Sequence, residues 1–376
     1  MAGIYIHVPF CKTRCFYCDF FKSTKLTLRE QYIKRLFEEI ALRRSFFKDQ
    51  NVKISTIYLG GGTPSLLSEK IIEQILNHIS IHFSLDDKVE ITIEVNPDDL
   101  TLPYLKSLFS LGVNRLSIGI QSFFDSDLQK MGRRHDAAQS RKALEWAFQA
   151  RFQNVGADLI YGLPWSDTSS FLSNLDILNE YPLKHLSAYH LTIENGTYFG
   201  RLKRKNKLVE IDDSESESLF WALHDKALDM GFDHYEISNF CRNGFYSKHN
   251  TAYWNENPYL GLGPGAHSFD GSRRYWNKSD LQQYINGELS DSLSYEILNN
   301  KDRFNEYLML RLRTAKGIFI EDIKNRFENE WKSTKPNISK WIEQGFLDFD
   351  NGYIRGNRKG WFVIDGIIED LFIVEP

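Results

Sequence analysis

The stretch GIYIHVPFCKTRCFYCDFF, residues 3–21, joins a β-strand pattern to a cysteine-rich loop. Residues 3–8 are apolar and rich in β-branched and aromatic side chains, which predicts a buried strand. The loop that follows holds Cys11, Cys15 and Cys18, three of the four cysteines in the chain. So few cysteines placed so close together indicate a metal or redox site rather than a disulfide framework.

This strand is the first of a series in which β-rich stretches alternate with segments of helical periodicity. The predicted strands lie at 3–8, 54–60, 89–95, 114–120, 154–162, 185–192 and 234–238. The predicted helices lie at 28–47, 69–83, 102–111, 137–150, 169–181 and 214–230. Such repeats form a parallel sheet covered by helices, so the expected fold class is α/β. Right-handed crossovers then leave a doubly wound sheet or a full or partial barrel.

The rest of the chain has a different character. Residues 236–301 are rich in Asn, Gly, Tyr and Trp and show little periodicity, which indicates an ordered connector. Residues 302–376 contain three helical patterns followed by a hairpin-like segment, which predicts a small helical, winged-helix-like domain. That fold either binds nucleic acid or serves as a packing or lid domain, and the acidic tail favours the second role.

The overall composition narrows the class of protein. Among 376 residues, 46 basic and 50 acidic side chains give a formal net charge of −4, so no polyanion-binding surface is indicated. No apolar run approaches the roughly 18 residues that span a bilayer, and no signal-peptide pattern is visible. The sequence therefore predicts a cytoplasmic protein, and we expect no nucleic-acid partner.

The C-x3-C-x2-C spacing suits two kinds of metal site. A structural zinc ion usually takes four protein ligands, and His7 or Asp19 could supply the fourth. Three thiolates alone suit a [4Fe–4S] cluster whose fourth iron has no protein ligand and is open to a small molecule. We favour the cluster, and we expect Cys241 to be an ordinary thiol.

Further polar or glycine-bearing residues follow the predicted strands, and strand ends in such folds share one rim. Glycines 60–62 would let the backbone approach a ligand, although a tight turn would need them equally. Glu94 could accept hydrogen bonds from ribose hydroxyls or form a rim salt bridge. Arg133 could neutralise a carboxylate, whereas Gln121 and Asp158 are ordinary residues when taken alone.

The cysteine spacing, with Tyr17 before Cys18, resembles the signature of the radical S-adenosylmethionine superfamily. In that superfamily the cysteines hold a [4Fe–4S] cluster, and the methionyl group of S-adenosylmethionine binds the fourth iron. Seven further segments resemble the oxygen-independent coproporphyrinogen III oxidase, or HemN-like, group: IYIHVPFC, YLGGGTPS, IEVNPDDL, NRLSIGIQSF, MGRRHD, DLIYGLP and LSAYHLTIE. The resemblance implies a radical-SAM partial (β/α)6 TIM-like barrel over residues 1–235 and a HemN-type helical domain over 302–376.

The same resemblance implies roles for individual residues, matched motif by motif. The cluster ligands are Cys11, Cys15 and Cys18. The contacts to S-adenosylmethionine, some of which bind a second molecule of it in the oxidase, are Tyr5, Tyr17, Gly61, Gly62, Thr63, Glu94, Gln121, Arg133 and Asp158.

Two departures from the oxidase indicate a different branch of the group. The oxidase has a long N-terminal extension and a fourth cysteine two positions after the third, whereas here ten residues precede Cys11 and Phe20 takes the later position. The segment HNTAYW, residues 249–254, resembles the H-N-x-x-Y-W pattern of the HemW branch, which implies a haem chaperone.

We expect the HNTAYW segment to be an accessible stretch and not a helix with its histidine facing inward. His249 would then ligate haem iron while Tyr253 and Trp254 cover the porphyrin faces, with His267 as a rival ligand.

The expected partners are haem, a reductant for the cluster and a protein that accepts the haem. Membrane-associated proteins are among the expected acceptors. The alternatives are a coproporphyrinogen oxidase or another radical SAM enzyme that acts on a porphyrin, and a nucleic-acid-binding protein that uses its C-terminal domain.

Overall fold

The structure, a computed structural model, describes residues 2–47, 52–289 and 293–374. Within these ranges the strands form one sheet of twelve strands and one of three. The centre of the larger sheet is six parallel strands that pair in chain order: β1 (Ala2–Val8), β2 (Ile54–Gly61), β3 (Leu85–Val95), β4 (Arg115–Gln121), β5 (Asn154–Tyr161) and β6 (His185–His190). Pairing in chain order without a reversal is the arrangement of a barrel and not of a doubly wound sheet. The expected partial barrel is confirmed.

Helices connect these strands and cover the outside of the sheet. They are α1 (Arg29–Leu42), α2 (Glu69–His82), α3 (Leu102–Ser110), α4 (Asp125–Lys130), α5 (Ala137–Gln149), α6 (Thr168–Asn179), α7 (Tyr198–Arg204) and α8 (Asp213–Asp229). In α2, Ile72, Ile75 and Ile79 lie three to four residues apart on one face, and all three are buried. Helix α5 begins at a capping box in which the Asp136 carboxylate accepts from the backbone N–H of Gln139.

The residues that follow lengthen the same sheet at both of its edges. They form β7 (Asp233–Glu236), β8 (Asn239–Cys241), α9 (Lys248–Trp254), β9 (Tyr259–Leu262), β10 (His267–Phe269), β11 (Arg273–Asn277), α10 (Leu281–Asn286) and β12 (Leu293–Ile297). Strand β8 pairs with β6 and β9 pairs with β1, so the barrel stays open between its first and last strands. The segment predicted as a connector therefore contributes five strands to the main sheet.

The C-terminal elements form a second unit with its own core. They are α11 (Asn300–Leu312), β13 (Ile318–Phe319), α12 (Ile320–Arg326), α13 (Glu328–Glu343), β14 (Leu347–Asp350), β15 (Tyr353–Gly356) and α14 (Ile364–Leu371). The small antiparallel sheet has the order β13-β15-β14, so the expected winged-helix-like architecture is confirmed. Helix α14, which contains most of the acidic tail, buries Ile364, Ile367, Ile368 and Leu371 against this core.

Ion pairs join the C-terminal unit to the main sheet. Glu306 on α11 pairs with Arg274 on β11 at 2.6 Å, and Arg326 on α12 pairs with Glu256 at 2.6 Å. These contacts hold α11 beside the β9–β11 edge, where it forms one wall of a cavity. Among the described residues, no helix combines the length and apolar character required to cross a membrane.

Candidate functional site

The cysteine loop leaves the C-terminal end of β1 and is anchored at several points. The Cys11 N–H donates to the Ser23 carbonyl at 3.0 Å, and the Ser23 N–H donates to the Pro9 carbonyl at 2.6 Å. The Lys12 ammonium pairs with Asp99, in the turn after β3, at 2.6 Å. The loop is thus closed at its base and tied to the C-terminal end of β3.

The three loop cysteines line a cavity of about 440 Å³ at the C-terminal ends of the parallel strands. We call it the cysteine cavity. The structure brings together around it these predicted residues: Cys11, Cys15, Cys18, Tyr17, Gly61, Gly62, Thr63, Glu94, Gln121, Arg133 and Asp158. Two sulfurs already have polar neighbours, since the Thr63 hydroxyl donates to Cys11 Sγ at 3.4 Å and the Arg133 guanidinium lies 3.6 Å from Cys15 Sγ.

The zinc alternative requires a fourth ligand from His7 or Asp19. Both ring nitrogens of His7 are engaged, Nε2 with the Phe21 carbonyl at 2.9 Å and Nδ1 with the Tyr5 hydroxyl at 3.1 Å. Within the described ranges, no three His, Cys, Asp or Glu side chains are grouped so as to hold a single metal ion. A four-iron cluster makes a different demand, because each thiolate binds its own iron.

Arg133 is the cationic side chain of the cysteine cavity that lies beside Cys15. Its Nη2 donates to Asn96 Oδ1 at 2.7 Å and to the Gly119 carbonyl at 2.8 Å, while Nη1 lies 3.5 Å from the Tyr17 hydroxyl. Its Nε is buried and has no hydrogen-bond partner among the described residues. An unpaired buried donor costs about 1–3 kcal/mol, so an acceptor such as a ligand carboxylate would be stabilised here.

Two half-buried carboxylates, those of Glu94 and Asp158, line the same cavity. Glu94 accepts from the Tyr58 hydroxyl at 2.8 Å and from the Gly61 N–H at 3.1 Å. Burial raises the pKa of Glu94 to about 7, the hydrogen bond from Tyr58 opposes that rise, and the charge of Asp158 adds to it. Asp158 accepts from the Ser117 hydroxyl at 3.1 Å, and burial raises its pKa as well. Both groups are acceptors placed for hydroxyl or ammonium donors.

The glycine segment packs closely against other parts of the chain. A Cβ at Gly61 would lie 2.5 Å from the ring of His7, and Gly61 has φ +105°. A Cβ at Gly62 would lie 2.7 Å from the Phe10 carbonyl and 2.8 Å from that of Val8. The space in front of these glycines is therefore filled by β1 and the cysteine loop, which could not pack here against larger residues.

Tyr5 is placed apart from the other predicted S-adenosylmethionine contacts. It lines a second cavity, which also contains His7, Tyr253 and His267, and it does not line the cysteine cavity. A contact from Tyr5 to S-adenosylmethionine is not supported by this geometry.

The expected conformation around His249 was wrong. Residues Lys248–Trp254 form helix α9, and the His249 side chain is 2% exposed and faces inward. Its Nδ1 is hydrogen-bonded to the Thr56 hydroxyl and its Nε2 to the Tyr253 hydroxyl, both at 2.8 Å. Its ring also stacks on that of Tyr58, with centroids 5.1 Å apart. Haem ligation by His249 remains a prediction, and it requires that this packing open.

Several cavity residues were not predicted from the sequence. Asn96 and Asn250, which follow the predicted residues Glu94 and His249 closely in the chain, line the cysteine cavity. Strand β4, RLSIGIQ, alternates Arg115, Ser117, Gly119 and Gln121 with apolar residues, and all four line the cavity, although only Gln121 was predicted. This alternation of polar residues or glycine with apolar residues is the sequence signal that could have identified the cavity-lining residues of β4.

Comparison with known proteins identifies relatives of this chain. Residues 5–172 match the Radical SAM superfamily, and residues 298–363 match the HemN C-terminal domain. A heme chaperone HemW from Lactococcus lactis is 33% identical over 98% of this chain and 97% of its own length. Another, from Haemophilus influenzae, is 34% identical over 99% of this chain and 98% of its own length.

A solved structure resembles the whole fold. It is coproporphyrinogen III oxidase (HemN) from Escherichia coli, a radical SAM enzyme, with a TM-score of 0.85 and 22% identity. The match covers 99% of this chain and 90% of that one, so the two share their architecture from the barrel to the C-terminal unit.

Proposed function

The chain belongs to the HemW family within the radical S-adenosylmethionine superfamily, and from that premise we propose that it is a cytoplasmic haem chaperone, which binds haem and passes it to an acceptor protein. The observation that carries the proposal is its similarity to heme chaperones along almost the whole of both chains. Phe20 supports the choice over the oxidase, because it occupies the position of the oxidase's fourth cysteine.

We propose that Cys11, Cys15 and Cys18 hold a [4Fe–4S] cluster and that S-adenosylmethionine binds in the cysteine cavity. The cluster would supply one-electron chemistry and an iron without a protein ligand. The chain's own side chains would bind and orient the ligand. The guanidinium of Arg133 would neutralise negative charge beside Cys15, and the unpaired Nε of Arg133 would be a hydrogen-bond donor. The donor set present therefore fits these groups.

Glu94 would accept from the hydroxyls of a bound nucleoside, and it can do so only in its ionised form. Because the pKa of Glu94 is about 7 in the free protein, protonation competes with binding below that pH. We expect the affinity for S-adenosylmethionine to fall by up to about tenfold per pH unit as the pH drops below 7. The other charged or titratable groups around this carboxylate are Tyr58, Asp158, Arg115, Tyr5, Tyr189 and Tyr253.

Calorimetric titration of the reconstituted protein at a series of pH values would measure this dependence. In Glu94→Gln the affinity should be lower at neutral pH, and the part of the pH dependence due to Glu94 should disappear. Identical pH profiles for the wild type and Glu94→Gln would contradict the role of this carboxylate, whatever the titration of the ligand itself contributes.

Haem transfer tests the proposed function directly. The purified protein, loaded with one equivalent of haem, should pass it to a haem-free b-type cytochrome, seen as a shift of the Soret absorption band. The control is free haem at the same concentration. A protein that binds no haem but decarboxylates coproporphyrinogen III anaerobically would establish the oxidase alternative instead.

A further inference from the structure

A second cavity of about 490 Å³ adjoins the cysteine cavity. It lies between the β9–β11 edge of the sheet and α11, and its volume falls within the roughly 300–1,000 Å³ of small-ligand sites. Six aromatic side chains line it: Tyr5, Phe20, Phe21, Tyr253, Tyr259 and Phe269. Rings in this number suit a ligand with flat apolar faces.

Two histidines also line the second cavity, and they differ in what their rings contact. Both nitrogens of the buried His7 are hydrogen-bonded, to the Phe21 carbonyl and the Tyr5 hydroxyl. The His267 side chain is exposed, and none of the hydrogen bonds of the described residues uses its ring nitrogens. His267 thus presents the available imidazole at this cavity, and imidazole is a standard protein ligand of haem iron.

We propose that haem binds in the second cavity and that the imidazole of His267 ligates its iron. This inference rests on the proposed chaperone function and names the site through which that function would act. An exposed ligand at the mouth of a cavity suits a carrier, because the haem must be able to leave for an acceptor as well as enter.

Arg274 supplies a group for the propionates of haem. It lines the second cavity, and its Nε is buried without a hydrogen-bond partner in the described part of the chain. Two of the three acidic side chains that line this cavity are already paired, Glu306 with Arg274 and Glu256 with Arg326, and the third, Asp19, is exposed. A propionate carboxylate at the Arg274 guanidinium would compete with Glu306 for this cation.

Phe20 connects the two cavities. Together with Asp19 it lines both of them, directly after the last cluster cysteine. Its side chain is 73% exposed, whereas large aromatic residues are usually well covered. A porphyrin in the second cavity would cover this ring, and it would place haem beside the cysteine loop.

The HNTAYW segment contributes to this site through Tyr253 and not through iron ligation by His249. The His249 ring holds the Tyr253 hydroxyl at 2.8 Å, and Tyr253 lines the second cavity. Asn250, next in the chain, lines the cysteine cavity. Helix α9 is therefore a wall shared by the two cavities, and His249 is a positioning residue within it.

Haem titration followed by optical and spin-resonance spectroscopy tests this assignment on the full chain. His267→Ala should weaken haem binding by about tenfold or more and remove the signature of imidazole ligation. His267→Cys should convert that signature to thiolate ligation, a change that a merely structural role would not produce. Arg274→Gln should weaken binding while leaving the ligand signature intact. His78→Ala, on α2 and outside both cavities, is the matched control.

The possible results separate this inference from the proposed function. Wild-type spectra and affinity in both His267 variants would overturn the assignment, as would loss of the imidazole signature in a folded His249→Ala protein alone. In either case haem binding by the wild type would leave the chaperone function standing. Absence of haem binding by the wild type would overturn both.

Discussion

Replacement of Cys11, Cys15 or Cys18 by alanine is expected to abolish assembly of the iron–sulfur cluster, whereas Cys241→Ala should leave it intact. The three loop thiols line one cavity. If one of them is removed, two irons of a [4Fe–4S] cluster lack a protein ligand, whereas the intact site leaves only one iron without a protein ligand. Cys241 lies in β8, where burial raises the pKa of its thiol to about 12 and keeps it protonated. Iron and sulfide content after anaerobic reconstitution measures the outcome.

Circular dichroism of each unreconstituted variant is the necessary control, because a misfolded protein would also fail to hold a cluster. The loop has anchors that do not involve the cysteine side chains, including the hydrogen bond from Ser23 to Pro9 and the ion pair of Lys12 with Asp99. The variants are therefore expected to fold. A full complement of iron and sulfide in Cys15→Ala, or its loss in Cys241→Ala alone, would refute the assignment.

The alternation of strands and helices was predictable from the sequence because its signals are local, whereas the choice of a barrel over a doubly wound sheet came from the family resemblance. The central strands are rich in apolar and β-branched residues and are bounded by turn residues, and each main helix shows a buried face at helical spacing, as in α2. The site was largely predictable for a related reason. In a parallel sheet the C-terminal strand ends share one rim, so motifs far apart in the chain, such as Cys11 and Asp158, meet at one cavity.

The β9–β12 edge could not be predicted because its strands depend on distant partners. Strand β9 has four residues, and its Tyr259 pairs with Gly3 at the other end of the barrel domain. A strand this short shows no clear alternation of polar and apolar side chains. It forms because it pairs with the exposed edge of β1. The second cavity, which this edge forms with α11, was invisible in the sequence for the same reason.

The error at His249 has a local and a distant cause. The seven residues of α9 fit between Ser247 and Pro258, and Ser247 caps the helix by accepting from the Asn250 N–H. The inward orientation depends on Thr56 and Tyr58 of β2, to which the imidazole bonds and stacks. Nothing in residues 249–254 indicates those partners.

Gly61→Ala is expected to destabilise the protein by about 2–6 kcal/mol. The positive φ of +105° contributes about 1–3 kcal/mol for any residue with a Cβ. The added Cβ would also lie 2.5 Å from the ring of His7, and such overpacking contributes about 1–3 kcal/mol more. Chemical denaturation of the cofactor-free protein, followed by circular dichroism, measures the loss.

Gly112→Ala is the matched control, because Gly112 has a similar φ of +91° but an added Cβ there would meet no atom within 4 Å. It should lose only the backbone contribution, about 1–3 kcal/mol. The difference between the two variants isolates the contact with His7. That contact matters for function because Gly61 lines the cysteine cavity and His7 lines the second. If Gly61→Ala were no less stable than Gly112→Ala, His7 would be free to move, and the packing that holds the two cavities together would have to lie elsewhere.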